Sequence, residues 1–329
     1  MEILSEIQSL TQMLFSYPFA MNLITLIEII LFFSPSPTIS QISYFLPLNT
    51  AFKRKHVQRF LSSFNESIFH VMFSIAWMVI GKPEKIVISI DWTKIQKRYL
   101  FLASISAQSR TLPIAFILTD RKTVLDRLRL IDILSKIIPP YLYTIIIADG
   151  EFSSPVFMAY ISKHGFHYAM RARRSTLFNG MPLKNYSLTS DIKDMGFGNY
   201  TSSGLRTRVI INKHKDEVYY LVSDLEYESK EVVGIYKQRF WIEETFRDFK
   251  SGMGFGKYSN EQKIERLFGL LCVYSLTYMV IYKEEKHVFK EPGISFYRHF
   301  KTTMKDKVAR AVFLSELAAL RKVSRRKIN

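Results

Sequence analysis

The sequence predicts an α/β protein: a mixed sheet flanked by helices, with a β-rich insertion and a helical N-terminal region. Two apolar, β-branched runs carry the first part of that expectation. Lys85-Ile-Val-Ile-Ser-Ile-Asp91 and Tyr143-Thr-Ile-Ile-Ile-Ala-Asp149 both read as buried strands that end in an acid. Between and after them, segments of strand and helix periodicity alternate. A polar stripe on a helix at 236–250 completes the pattern, because it borders an apolar face in the way a site on the rim of a core would.

Taken in order, residues 1–80 read as helices broken at Ser34-Pro-Ser-Pro37, whose prolines cannot continue a helix. The basic segment Lys53-Arg54-Lys55-His56, with Arg59, follows that break. It is either the second helix of a helix-turn-helix-like unit that grips DNA, or a solvated basic face. The apolar stretches Phe19 to Phe33 and Ile68 to Ile80 are interrupted or too short to span hydrocarbon, so both are expected to be buried helices. The N-terminus carries Glu2 and Glu6 in place of a basic leader region, and no membrane partner is expected.

Residues 81–170 form the first part of the expected core. After the Asp91 strand, Arg98 to Ser106 and Thr111 to Thr119 continue as a meander. Val124 to Ile138 is a helix, and the Asp149 strand follows it. Ser154 to Lys163 is a second helix, and Phe166 to Met170 a short fifth strand. Residues 171–225 are the β-rich insertion, with alternating strands at Leu205 to Asn212 and Glu217 to Ser223 around a polar turn. Residues 226–283 complete the core, and 284–329 are expected to be a helical basic region ending in Arg321-Lys-Val-Ser-Arg-Arg-Lys327.

Composition narrows the function. With Lys+Arg 46 against Asp+Glu 29, the net charge of +17 suits a polyanionic partner. The single cysteine, Cys272, excludes an intramolecular disulfide framework and lies in a segment that reads as a core helix. Ser251-Gly-Met-Gly-Phe-Gly-Lys257 fails the phosphate-loop spacing and follows a helix, so a glycine helix stop is the better reading. His164 and His167 lack cysteine partners, which leaves a zinc site without support.

On a helix turning 100° per residue, Tyr236, Arg239, Glu243 and Lys250 fall at roughly 0°, 300°, 340° and 320°. Ile235, Ile242, Phe246 and Phe249 fall in a neighbouring arc, the expected buried face. Glu244 and Asp248 are left on the face turned to water, so Glu243 is the carboxylate aimed into a site. A carboxylate beside a cation and a phenol suits phosphodiester chemistry, with acids on other elements as its partners. Asp91 and Asp149 are the two best candidates, although each alone also fits a capping or turn acid.

These residues carry a resemblance. Tyr236, Arg239, Glu243 and Lys250, with Ile90-Asp91-Trp92-Thr93 and Ala148-Asp149-Gly150, resemble the DDE transposases of bacterial insertion sequences in the branch marked Y-x2-R-x3-E-x6-K. The resemblance implies a ribonuclease H-like mixed sheet, an order that the expected elements also follow. It implies that Asp91, Asp149 and Glu243 are catalytic and bind metal, and that Tyr236, Arg239 and Lys250 contact the DNA backbone. Oxygen-only ligation by such a triad suits two Mg²⁺ ions, with Mn²⁺ as substitute. The implied partner is double-stranded DNA, both element ends and target, bound by a homodimer assembled on DNA in the bacterial cytoplasm, at the nucleoid. Lys53, Arg54, Lys55 and Arg59 are then candidate contacts to the element ends.

The implied function is cut-and-paste transposition by two-metal hydrolysis and strand transfer. A nuclease of the same fold that cuts without joining is the alternative, as is a DNA-binding protein that is no longer catalytic. The insertion contains no tryptophan. In relatives that cleave through a hairpin an aromatic there holds a flipped base, and Phe197 or Tyr200 are the substitutes available here.

Overall fold

The computed structural model describes residues 2–32, 39–44, 50–95, 97–188, 190–201, 203–214, 217–255 and 263–285. The proline break at 34–37, the end of the glycine-rich segment at 256–257 and the basic segment at 321–327 lie outside these residues.

Among the described residues five helices come first: α1 (Glu2–Leu14), α2 (Tyr17–Phe32), α3 (Ile39–Tyr44), α4 (Thr50–Ser62) and α5 (Ile68–Val79). The two apolar stretches expected to be buried helices are α2 and α5, and both contribute to the main hydrophobic core. The strands β1 (Lys85–Ile95), β2 (Arg98–Ala107) and β3 (Arg110–Thr119) form the meander. Helix α6 (Val124–Ile137), strand β4 (Tyr143–Ala148), helix α7 (Pro155–Lys163) and strand β5 (His167–Ala172) follow. Local chemistry sets these starts. Thr123 and Asp126 close a reciprocal capping box on α6, and Ser154 caps α7 just before Pro155 at its first position.

The insertion adds β6 (Leu177–Phe178), β7 (Met181–Pro182), β8 (Ile192–Tyr200), β9 (Leu205–His214) and β10 (Glu217–Ser223). It does not form a separate sheet. The ten strands of the described residues hydrogen-bond in one sheet of order β3-β2-β1-β4-β5-β10-β9-β8-β6-β7. Within β3-β2-β1-β4-β5 the β1/β4 and β4/β5 pairs are parallel and β2 runs against its neighbours, which is the ribonuclease H-like arrangement. The two Asp-bearing strands are neighbours, as expected.

Strand β4 shows why its sequence reads as a continuous apolar run. Ile146 and Ala148 face the main core, while Ile145 and Ile147 face a second core with Ala169, Leu221, Val232, Val233, Ile235 and Tyr236. A central strand covered on both faces needs apolar residues at every position. The second core is closed by α8 (Ser229–Lys237), which is followed by α9 (Phe240–Arg247), a π-helical turn over Asp248–Gly252 and α10 (Ile264–Glu285).

Helix α10 is long and apolar enough to cross a membrane, yet most of it is buried among α2, α4, α5 and β3. Cys272 is fully buried there, the packing role expected of it. Gly269 lets α10 approach α4 closely, because a Cβ at that position would collide with the Leu61 carbonyl.

Candidate active site

Asp149 follows β4 directly, at the carboxyl end of the parallel strands where α/β sheets place their ligands. Asp91 does not end its strand, contrary to the sequence expectation. Parallel pairing to β4 stops at Ser89, but β1 continues to Ile95 because β2 extends the antiparallel ladder, with Asp91 opposite Leu102. The β1/β4 register couples Lys85 to Tyr143 and Ser89 to Ile147, so the same offset brings Asp91 level with Asp149. Neighbouring strands lie about 5 Å apart, which places both carboxylates at one edge of the sheet.

The segment expected as a single helix over 236–250 is three pieces. Arg239 N–H donates to the Tyr236 carbonyl at 2.9 Å and Ile242 N–H to the Arg239 carbonyl at 3.2 Å, i→i−3 bonds that tighten the chain between α8 and α9. The π-helical turn then widens it after Arg247. The polar stripe survives these changes. Arg239, 8% exposed, hydrogen-bonds Glu243 at 2.9 Å and lies 3.8 Å from the carboxylate of Asp91. Through one planar guanidinium, the Asp91 and Glu243 carboxylates are therefore within about 9 Å of each other. Lys250 Nζ donates to Thr93 Oγ1 at 2.5 Å, two residues beyond Asp91 on the same face of β1.

The burial of the stripe is uneven. Ile235, Ile242, Phe246 and Phe249 are buried as expected. Tyr236 is buried too, and burial pushes its phenol up to about 12. The Tyr236 hydroxyl has no well-formed hydrogen bond among the described residues, although the Arg239 guanidinium is close enough to act on it. Glu243 is 52% exposed. Its carboxylate lies on the open side of the site, with one oxygen held by Arg239 at 2.9 Å.

The expectation that Glu244 and Asp248 face water is corrected. Asp248 is 3% exposed and accepts from Arg110 Nε at 3.0 Å and from the Tyr278 hydroxyl at 3.1 Å. Glu244 is 28% exposed, 2.8 Å from Arg247 and 4.0 Å from Arg110. The tightened and widened turns rotate the chain by amounts other than 100° per residue, which carries these positions toward β3. Thr245 pins α9 to the same strand: its hydroxyl accepts from Thr111 N–H at 3.0 Å. Arg110, 2% exposed, was missed in sequence reasoning. The one available signal is an arginine opening an otherwise apolar strand.

Burial raises the Asp91 carboxyl to about 6. The Trp92 N–H and Arg239 pull it down, and the negative charges of Glu151 and Asp149 push it back up. Carboxylate oxygens at one edge, acting on each other through space, are the donor set a hard divalent cation takes. Asp91 and Asp149 supply oxygen donors of the kind such an ion takes, and Glu243 is paired with Arg239. Among the described residues no three acidic, histidine or cysteine side chains already converge on one point. His164 and His167 pair instead with Asp132 and Asp224, each at about the length of a hydrogen bond.

A groove of about 910 Å³ opens beside Asp149. Arg171, Arg173, Arg174 and Lys184 line it, with Tyr186 and Tyr219. Arg171 is paired with Glu217. Of the two aromatics considered for base stacking, Tyr200 is 1% exposed with its hydroxyl on the Ser153 carbonyl, which removes it. Phe197 is 41% exposed on a bulge of β8. Lys53, Arg54, Lys55 and Arg59 all lie on α4, the last three exposed.

A family model described as the transposase DDE domain matches residues 82–276, more than half of the chain. No curated protein matches. A solved piggyBac transposase synaptic complex with hairpin DNA aligns at 11% identity and a TM-score of 0.42, over 93% of this chain and 82% of that one.

Proposed function

This chain belongs to the transposase DDE domain family, and we propose that it is the transposase of a bacterial insertion sequence in the Y-x2-R-x3-E-x6-K branch. It cuts the element from duplex DNA and joins the ends to a target at one site. Arg239 carries this reading, because it binds Glu243 and Asp91 at once and so gathers acids 152 positions apart.

Asp91, Asp149 and Glu243 would hold divalent cations, two Mg²⁺ with Mn²⁺ as substitute. Such ions, when bound, activate a water or 3′-hydroxyl and stabilise the leaving oxygen of an in-line displacement. The chain's own residues do the rest. Arg239, buried and paired with both acids, offers its guanidinium to the phosphate beside them. Lys250 places a second positive charge beside Thr93, and Tyr236 offers its hydroxyl as a donor. These groups are preorganised by burial, which makes them stronger than they would be in water.

In this reading residues 1–80 grip the element ends, with Lys53, Arg54, Lys55 and Arg59 on α4 as backbone contacts. Two chains act as a homodimer on DNA, in the cytoplasm at the nucleoid. An assay with Mg²⁺ and labelled duplex carrying the element ends decides the matter. Joined product supports the proposal, nicks alone indicate a nuclease, and retention without chemistry contradicts both.

A further inference from the structure

Two residues before Lys250 the chain buries an acid that the proposed chemistry does not use. Asp248 Oδ2 accepts from Arg110 Nε at 3.0 Å and from the Tyr278 hydroxyl at 3.1 Å, so β3 and α10 converge on one oxygen. Arg110 is itself fixed, donating through Nη1 to the Ser109 carbonyl at 2.9 Å. The backbone of Asp248 opens the π-helical turn, because the Met253 N–H donates to its carbonyl at 2.7 Å. Phe249, the next residue, packs its ring 5.3 Å from that of Tyr278. Positions two apart in a helix lie roughly half a turn from each other. Lys250 therefore leaves the turn on the other side, where it reaches Thr93 Oγ1.

Stability alone does not account for this arrangement. Apolar side chains of similar volume often hold a core as well as a buried ion pair does, and burial raises the Asp248 carboxyl in spite of Arg110 and Tyr278. What the pair supplies is direction. Two donors from separate elements fix Asp248 in rotation, because hydrogen bonds weaken steeply as they bend. A π-helical turn holds one residue more than an α-helical one, so relaxation to α geometry would swing the residues after Asp248 round by up to about 100°. Lys250 would then leave the face of β1 that carries Asp91 and Thr93.

We propose that Asp248, gripped by Arg110 and Tyr278, is a positioning residue: it fixes the π-helical turn so that the Lys250 ammonium stands beside Thr93, on the Asp91 face of β1. This rests on the proposed role of Lys250 as a phosphate contact. Asp248 touches no substrate and acts through Lys250.

The test acetylates the full chain competitively over a range of pH, without metal or DNA, and reads modification at Lys250 by mass spectrometry, with exposed Lys163 as internal reference. In the wild type Lys250 should titrate below the ordinary lysine range, as its burial requires. In Arg110→Met with Asp248→Leu, where apolar groups replace the pair, the midpoint should rise to that range. Tyr278→Phe keeps the ring on Phe249 but removes one grip, and should move the midpoint the same way by less. A midpoint unchanged in the double variant, or in Tyr278→Phe should the double variant fail to fold, overturns the proposal, since a role in stability alone leaves Lys250 in place. End cleavage gives a second reading. Lys250→Met should slow it about 10²-fold, the order expected for one lost transition-state donor. Adding the two network substitutions to Lys250→Met should slow it by less than about threefold more, because both changes act through one ammonium. Losses that multiply in full would contradict action through Lys250. A wild type that cuts no DNA would remove the proposed function and leave the labelling result standing by itself.

Discussion

Replacing Asp91 with Asn should make the metal-free protein more stable at neutral pH while ending its chemistry. Burial raises this carboxyl from 3.8 to about 6, and the attraction of Arg239 does not undo it. Its side chain is only 20% exposed, so solvent screens little of the effect. A rise of roughly two units corresponds to about 3 kcal/mol, at about 1.4 kcal/mol per unit. The sign follows from proton linkage. The protonated acid contributes stability that is complete below pH 3.8 and is lost as pH rises through about 6. Asn never ionises and loses nothing over that window. Urea unfolding in chelator should therefore show Asp91→Asn ahead of wild type by about 3 kcal/mol above pH 7, with the gap closing as pH falls toward 4. A variant no more stable than wild type at pH 7.5, or a gap independent of pH, would refute the reasoning.

Three further outcomes follow from packing and charge. Arg110→Met leaves Asp248 buried without the arginine that offsets its burial and should cost about 3 to 5 kcal/mol at neutral pH, whereas Arg110→Met with Asp248→Leu should recover most of that loss in the same unfolding assay. Burial lowers the Lys250 ammonium, so its charge is lost as pH climbs through a value below the usual lysine range. The cleavage rate should turn down there, and the downturn should vanish in Lys250→Arg, which stays protonated. Gly269→Ala forces α10 away from the Leu61 carbonyl and should lower stability by about 1 to 3 kcal/mol in thermal melts, with no change expected if the helices were free to part.

The core was legible because strands buried on both faces must be largely apolar, and the runs Ile86–Ile90 of β1 and Ile145–Ala148 of β4 carry that mark. The neighbouring placement of the two Asp-bearing strands follows from element order. A uniform turn of 100° per residue over 236–250 places Arg239 correctly, within one turn of Glu243, and misplaces Asp248. The failure has a physical source: one segment closes i→i−3 bonds and another is π-helical, and neither turns by 100° per residue. Arg110, the partner of Asp248, is 138 positions away and no local pattern points to it. Strand β8 was missed as well. Its Asp194, Gly196, Gly198 and Asn199 have weak strand propensity, and the strand exists through its pairing with β9. The joining of the insertion to the core through β5 and β10 is likewise a tertiary fact.

Cation stoichiometry tests the central claim most directly. Mn²⁺ bound to the full chain on end DNA, counted by electron paramagnetic resonance, should reach two ions per site. Asp149→Asn and Glu243→Gln should each reduce the count while duplex binding persists. Full occupancy in both variants would contradict the assignment of these acids, and with it the account of how the site works.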